Sequence, residues 1–157
     1  MPVEIVRKFL VADLSVVAGL AGTPIRQGFL STDPERVVRV RVAGPRAFVT
    51  VKGKTAGISR AEYEYEVPVA EAHEMLDRLA LRPLVEKTRY KVASGGLVWE
   101  VDVFSGENAG LVMAEVELPA EDAAVAVPPW VGREVTDDRR YYNANLVAHP
   151  YREWGGR

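Results

Sequence analysis

Apolar and polar residues alternate in short runs along most of this chain, the period of a half-buried strand. Eight runs stand out, over residues 3–11, 26–31, 37–43, 47–54, 59–68, 84–93, 97–104 and 110–118. Turn chemistry separates them: Asp33-Pro34, Gly44-Pro45, Gly53 with Gly57, Gly95-Gly96, and Gly106 with Gly110. Short connections between successive strands predict an antiparallel meander. Helices are few. The spacing of Ala72, Met75, Leu76 and Leu79 predicts a helix over 69–81, ended by Pro83. A short helix is expected over 120–126 and another over 138–148, with fraying confined to the last few residues of the tail, 150–157. Tyr63, Tyr65 and Tyr90 are expected beneath the outer helices, and Trp130 and Trp154 read as packing residues. The predicted fold is mainly β with α, an α+β chain forming one domain over 1–157.

Successive strand residues point to opposite faces, and the polar faces are unusual. The first run sets Glu4, Val6 and Lys8 on one face. The next ones set out Arg39 and Arg41, then Thr50, Lys52 and Lys54, then Glu62, Glu64 and Glu66. The later ones give Lys87, Arg89 and Lys91, then Glu100 and Asp102, then Glu115 and Glu117. Nearly every strand thus carries one apolar face and one charged face, and the sign of the charge tends to be uniform within a strand; the first, with Glu4 and Lys8, is mixed.

Two architectures fit this pattern. In one, the charged faces form the solvated side of an open sheet. In the other, the sheet closes into a barrel with its charged faces inward. Repeated like charges two residues apart favour the second, since a solvated surface has little reason to align them. An interior of arginine, lysine and carboxylate is costly unless something ionic fills it. A polyanion with a bound metal satisfies both signs: guanidinium and ammonium take phosphate oxygens, and carboxylates hold hard cations.

Composition narrows the chemistry further. The formal net charge is -2, from 20 basic and 22 acidic residues, which gives no argument for nucleic acid or membrane binding. There is no cysteine, so disulfides, thiolate metal sites and a cysteine nucleophile are excluded. With only His73 and His149 present, a histidine-rich zinc site is not expected, and any metal must be held by oxygen. No P-loop pattern is present. The charged N-terminal run is unlike a signal peptide, and a cytoplasmic location is expected.

An ordered set of motifs resembles the CYTH superfamily, the triphosphate tunnel metalloenzymes. It begins with Glu4-Ile5-Val6-Arg7-Lys8, which is similar to that family's Glu-x-Glu-x-Lys signature. It continues through Arg26-Gln27-Gly28-Phe29-Leu30, Arg39-Val40-Arg41, Thr50-Val51-Lys52-Gly53-Lys54 and Glu62-Tyr63-Glu64. Glu86-Lys87-Thr88-Arg89, Glu100-Val101-Asp102 and Glu115-Val116-Glu117 follow, and Gly132-Arg133-Glu134 with Arg140-Tyr141-Tyr142-Asn143 resembles the small bacterial and plant tripolyphosphatase subgroup.

The resemblance implies an eight-stranded antiparallel tunnel barrel with a few helices packed outside. It implies a triphosphate held by Lys8, Arg39, Arg41, Lys52, Lys54, Lys87 and Arg89, among which Lys8, Arg41, Lys52 and Lys87 are catalytic. Magnesium or manganese would sit on carboxylates drawn from Glu4, Glu62, Glu64, Asp102, Glu115 and Glu117. The implied reaction is hydrolysis of the terminal phosphate of tripolyphosphate, with ATP as a further ligand and a homodimer as the assembly. Two departures matter. Val6 stands where the family has a second glutamate, and Phe29 stands at the position of the family's catalytic tyrosine, whose hydroxyl assists the attacking water. They keep open a weakened module that binds polyphosphate or nucleoside triphosphates; an enzyme of the class IV adenylyl cyclase or thiamine triphosphatase type is a separate alternative.

Overall fold

In the computed structural model, which describes residues 2–155, eight antiparallel strands close into a ring. They are β1 (Val3–Val11), β2 (Thr23–Ser31), β3 (Val37–Ala43), β4 (Arg46–Lys52), β5 (Ser59–Val67), β6 (Val85–Ser94), β7 (Leu97–Phe104) and β8 (Val112–Glu117). Around the ring the order is β5-β4-β3-β2-β6-β7-β8-β1, and β1 pairs back onto β5. The expected meander therefore holds within β2–β5 and within β6–β8. Pairing of β2 with β6 and of β8 with β1 joins the two halves. The tight β6–β7 turn needs positive φ at both Gly95 and Gly96, the reason for glycine there.

A ninth strand, β9 (Val131–Glu134), was not anticipated. It adds to the outer edge of β1, and Arg7 clasps Glu134 through two hydrogen bonds of 2.9 and 2.8 Å. Four residues flanked by prolines on one side carry too short an alternation to register as a strand.

Three apolar clusters organise the molecule. On the outer face of β3 and β4, Val40, Val42 and Ala47 meet Ala72 and Leu76 of helix α1 (Val69–Arg78). Glu71 in the first turn and Arg78 in the last suit the helix dipole. The helix ends three residues before the expected boundary, and Gly28 lets this region approach β2. A methyl there would come within 2.7 Å of Leu84 and 2.9 Å of Ala80.

On the outer face of β1, β7 and β8, Phe9, Trp99, Val101, Ala114 and Val116 form a second cluster. Trp99 is fully buried between Phe9 and Trp130. The segment expected to be a helix over 120–126 is instead a turn followed by extended chain. Its alternate residues Ala123 and Val125 lie on this cluster, so burial on a sheet face overrides the helix preference of alanine.

The third cluster closes one end of the barrel. Phe29, Val37, Val85, Phe104, Leu111 and Met113 meet Tyr141, Leu146, Val147 and Trp154 from the C-terminal segment. The helix expected over 138–148 is broken into a 3-10 turn at Arg139–Tyr141 and a short α2 (Asn145–Ala148). Between them Tyr142 adopts an extended backbone, with φ -68° and ψ 130°, and this turns Tyr142 and Asn143 toward the strands. Asp138 caps the 3-10 turn by accepting from Arg140 N. Trp154 is anchored against Tyr141 and Tyr151, so the tail is docked through that residue. Residues 156 and 157, where fraying was expected, lie outside those described.

Tyr63 and Tyr65 are exposed on β5, not covered by a helix, because α1 lies over β2–β4; Tyr90 packs on the second cluster, to which neither α1 nor α2 contributes. Among the described residues no helix is long and apolar enough to cross a membrane.

Candidate functional site

The charged strand faces line the inside of the ring. Lys52 Nζ reaches Glu4 at 3.0 Å and Glu62 at 3.3 Å. Lys8 Nζ lies 3.3 Å from Glu115 and 5.4 Å from the ring centre of Tyr142. Arg89 makes twin bonds of 2.8 and 3.0 Å to Asp102 and a third, 3.3 Å, to Glu100. Lys87 Nζ, on a side chain almost wholly buried, lies 2.8 Å from Asp102 and donates to Asn143 Oδ1 at 2.8 Å. Arg39, only 7% exposed, donates to Thr50 at 3.1 Å and approaches Glu64 at 3.5 Å, and its Nε is buried without a partner.

Arg41 is different. Its Nε donates to Gln27 Oε1 at 2.8 Å, and no carboxylate pairs with it among the described residues. Burial, then the neighbouring Arg39 and Arg89, push its guanidinium well below the ordinary value.

These pairings order the protonation states. Burial works against ionisation of Asp102 and Glu115, but the cations around them win. Lys87 and Arg89 hold Asp102 below the usual carboxylate range, and Lys8, Lys87 and Arg89 hold Glu115 far below it. Burial is also the main cause acting on Lys87. Asp102 opposes it, Arg89 and Arg41 add to it, and the amine is brought down to about 7.

At the other side of the lumen the balance reverses. Burial, then the neighbouring Glu4, push Glu62 up to about 7, while Glu4, against its own burial, is held below its ordinary value by Lys52 and Lys8. Glu117 is raised by burial and by the charges of Glu4 and Glu100. On this side of the lumen Glu62 and Glu117 thus feel burial and neighbouring carboxylates more than the cations, whereas Glu4 does not.

Nearly all the residues singled out in the sequence meet in this lumen. Lys8, Arg39, Arg41, Lys52, Lys87 and Arg89 are interior, as are Glu4, Glu62, Asp102 and Glu115. Glu64 and Glu117 are solvent-exposed at the rim. Lys54 departs from the expectation. β4 ends at Lys52, and Lys54 is exposed and has no ion pair among the described residues. Gly53 N bonds to Ala61 O while Arg60 donates twice to Gly53 O, and this tie turns the chain before Lys54. Phe29 also departs, buried at 3% exposure within the apolar end cluster.

Sequence reasoning missed Gln27, Tyr142 and Asn143. Gln27 sits between Ile25 and Phe29 on the inner face of β2, and a polar residue at a core position was the available signal. Tyr142 and Asn143 arrive from the C-terminal turn, where no periodicity marks them.

The donor set suits a hard cation. All the acidic ligands are oxygen, and Glu4 and Glu62 both face the single Lys52 ammonium. Among the described residues, however, the carboxylates do not gather into a ready cluster of three or more. An open hollow of 580 Å³ along residues 134–139 touches none of the candidate residues, whereas a smaller one of 280 Å³ is lined in part by Lys87.

A closed antiparallel barrel lined by facing cations and carboxylates defines a polyanion-binding barrel. This chain belongs to the CYTH family, whose CYTH domain model matches residues 2–150. It is 50% identical over 151 residues to an inorganic triphosphatase of Acetivibrio thermocellus, covering 96% of this chain and 97% of that protein. It is 45% identical to an inorganic triphosphatase of Nitrosomonas europaea, covering 92% and 96%. The crystal structure of an inorganic triphosphatase superimposes with a TM-score of 0.66 at 39% identity, covering 94% of this chain and 95% of that one. The family implies a metal cofactor.

Proposed function

We infer that this chain is an inorganic triphosphatase, a hydrolase that cleaves the terminal phosphate of a triphosphate held in the barrel. The observation that carries the reading is the lumen itself: buried lysines and arginines paired across it with carboxylates, in a chain half identical over nearly its whole length to an inorganic triphosphatase.

Each residue has a part in this reading. Arg39, Arg41 and Arg89 present guanidinium edges to phosphate oxygens, and Lys8, Lys52 and Lys87 present point charges. A triphosphate entering the lumen takes the N–H groups that these side chains still present. Asp102 holds Lys87 and Arg89 in place, and Glu115 holds Lys8. Glu4, Glu62 and Glu117, with Glu64 at the rim, are the carboxylates that would hold magnesium or manganese. When bound, that ion offsets the charge of the triphosphate and activates water. Water attacks the terminal phosphorus, the P–O–P bridge breaks, and phosphate and diphosphate leave. Lys87, held at about 7, is able to hold or give a proton at the bridging oxygen near neutral pH. Most of the catalysis is positioning and charge stabilisation. Lys54 has no part in this reading. The cytoplasm as its location belongs to the same proposal.

The test is phosphate release from tripolyphosphate with magnesium, manganese or chelator. Metal-dependent release is expected. Absence of release overturns the reading. Cyclic nucleotide formed from ATP would point to a cyclase, and tight binding without turnover to a binding module.

A further inference from the structure

Among the described residues, Arg41 is the interior guanidinium that a neutral amide moors and no carboxylate pairs with. Gln27 Oε1 accepts from Arg41 Nε at 2.8 Å, while Gln27 Nε2 donates to Asn143 Oδ1 at 2.7 Å. Asn143 Oδ1 also accepts from Lys87 Nζ at 2.8 Å. The orientation of every group in this chain follows from its end. Lys87 gives a proton, so Asn143 must turn its oxygen inward. Gln27 must then meet that oxygen with its amide nitrogen, which leaves its own oxygen for Arg41. Gln27 is fully buried, so it has no solvent to exchange these partners with.

A carboxylate at position 27 would hold Arg41 as firmly but would also neutralise it. The amide fixes the Nε edge and leaves the charge and the four N–H groups of the two Nη atoms unspent. Among the described residues those Nη atoms make no hydrogen bond or ion pair.

We propose that Gln27 and Asn143 are positioning residues that fix Arg41 as the lumen's dedicated phosphate-oxygen donor, so that the C-terminal turn bearing Asn143 sets the grip on the triphosphate. This inference rests on the triphosphate reading above.

The test uses the near-isosteric substitutions Gln27→Met and Asn143→Leu, with Asn143→Asp as the conservative control that keeps an acceptor oxygen. Nitrogen-15 NMR of arginine side chains reads the mooring without substrate. The Arg41 Nε–H signal is assigned by its loss in Arg41→Lys. It is expected to exchange slowly in the unaltered chain and in Asn143→Asp, and rapidly in Gln27→Met and Asn143→Leu. With tripolyphosphate, KM is expected to rise about tenfold or more in those two variants while kcat changes less than about threefold. Placed in the Arg41→Lys background, the same substitutions are expected to shift KM less than about twofold, because residues acting through Arg41 lose their effect with it.

Survival of the slow exchange in both Gln27→Met and Asn143→Leu overturns the proposal. So does an undiminished KM shift in the Arg41→Lys background, which would mean a general packing role. If the unaltered chain does not hydrolyse tripolyphosphate, the functional reading fails, while the NMR measurement still decides the mooring of Arg41.

Discussion

Lys52 Nζ on β4 lies 3.0 and 3.2 Å from the two oxygens of Glu4 on β1, and Glu62 Oε2 stands 3.3 Å away on its other side. One ammonium thus pairs with two carboxyls. Removing it leaves like charges facing each other in a partly dry site. Lys52→Met is expected to cost about 3 kcal/mol in chelator, the scale of breaking a buried pair. Magnesium or manganese should restore more of that loss than it adds to the unaltered protein. Thermal melts with and without metal check both points, and KM for tripolyphosphate should rise in parallel.

Glu62 gives the metal-free protein a pH dependence of known sign. Its folded-state pKa is raised to about 7, so the folded chain keeps a proton that the unfolded chain releases. The contribution to stability is fully present below the ordinary carboxylate range and is lost as pH rises through about 7. Glu62→Gln should remove this slope, melting about 2–4 °C above the unaltered chain near pH 8 in chelator and level with it near pH 4. Lys87 acts in the other direction and in another window. Its pKa is lowered to about 7, so its contribution is lost as pH falls from above the usual lysine range to about 7. Melting curves across pH separate the two groups.

Val6 lies between Glu4 and Lys8 on the inner side of β1 and is registered opposite Glu117 on β8. Val6→Glu adds a further carboxyl to the side of the lumen that holds Glu4, Glu62 and Glu117. The metal-free variant should melt lower, and its affinity for magnesium or manganese should rise about tenfold, one further hard ligand for the ion. Calorimetric metal titration, beside melts in chelator, tests this pairing of loss and gain.

Phe29 lies in the apolar end cluster with Val37, Val85 and Phe104. A hydroxyl introduced there must leave water, so Phe29→Tyr should lower stability by about 1–3 kcal/mol. A positioned acid or base is worth about 10²–10⁴ in rate. Because the lumen cations do the larger part of the work in this reading, kcat should change by less than about tenfold. A hundredfold gain would show that the hydroxyl reaches the reacting water.

Much of this molecule could be read directly from the order of its residues. Alternation located all eight ring strands and placed Lys8, Arg39, Arg41, Lys87, Arg89, Asp102 and Glu115 on one face, because a strand's period is local and needs no knowledge of neighbours. The failures share a cause. The 120–126 segment has a helical composition, but its conformation is set by an apolar sheet face formed elsewhere. The break at Tyr142 follows from what Tyr142 and Asn143 reach, across more than a hundred residues, near Lys8 and Gln27. Lys54 continued the alternation on paper, while the Arg60–Gly53 tie ended the strand before it. Partners within the lumen were equally out of reach. The sequence pattern shows that Arg89 and Asp102 face inward, but only the β6–β7 register sets them opposite each other.

β1 serves three neighbours. Its Val6–Leu10 stretch joins β8 along one edge, while on the other edge Val3–Ile5 joins β5 and Phe9 and Val11 join β9. The ring is therefore welded along only a short length between β1 and β5, whereas β6 and β7 share a bond line through nearly their full extent. A hoop under outward load parts at its shortest weld. Under outward load the pairs Val3–Ala61 and Ile5–Ser59 would therefore part first, and anything fused ahead of Val3 would pull directly on that seam.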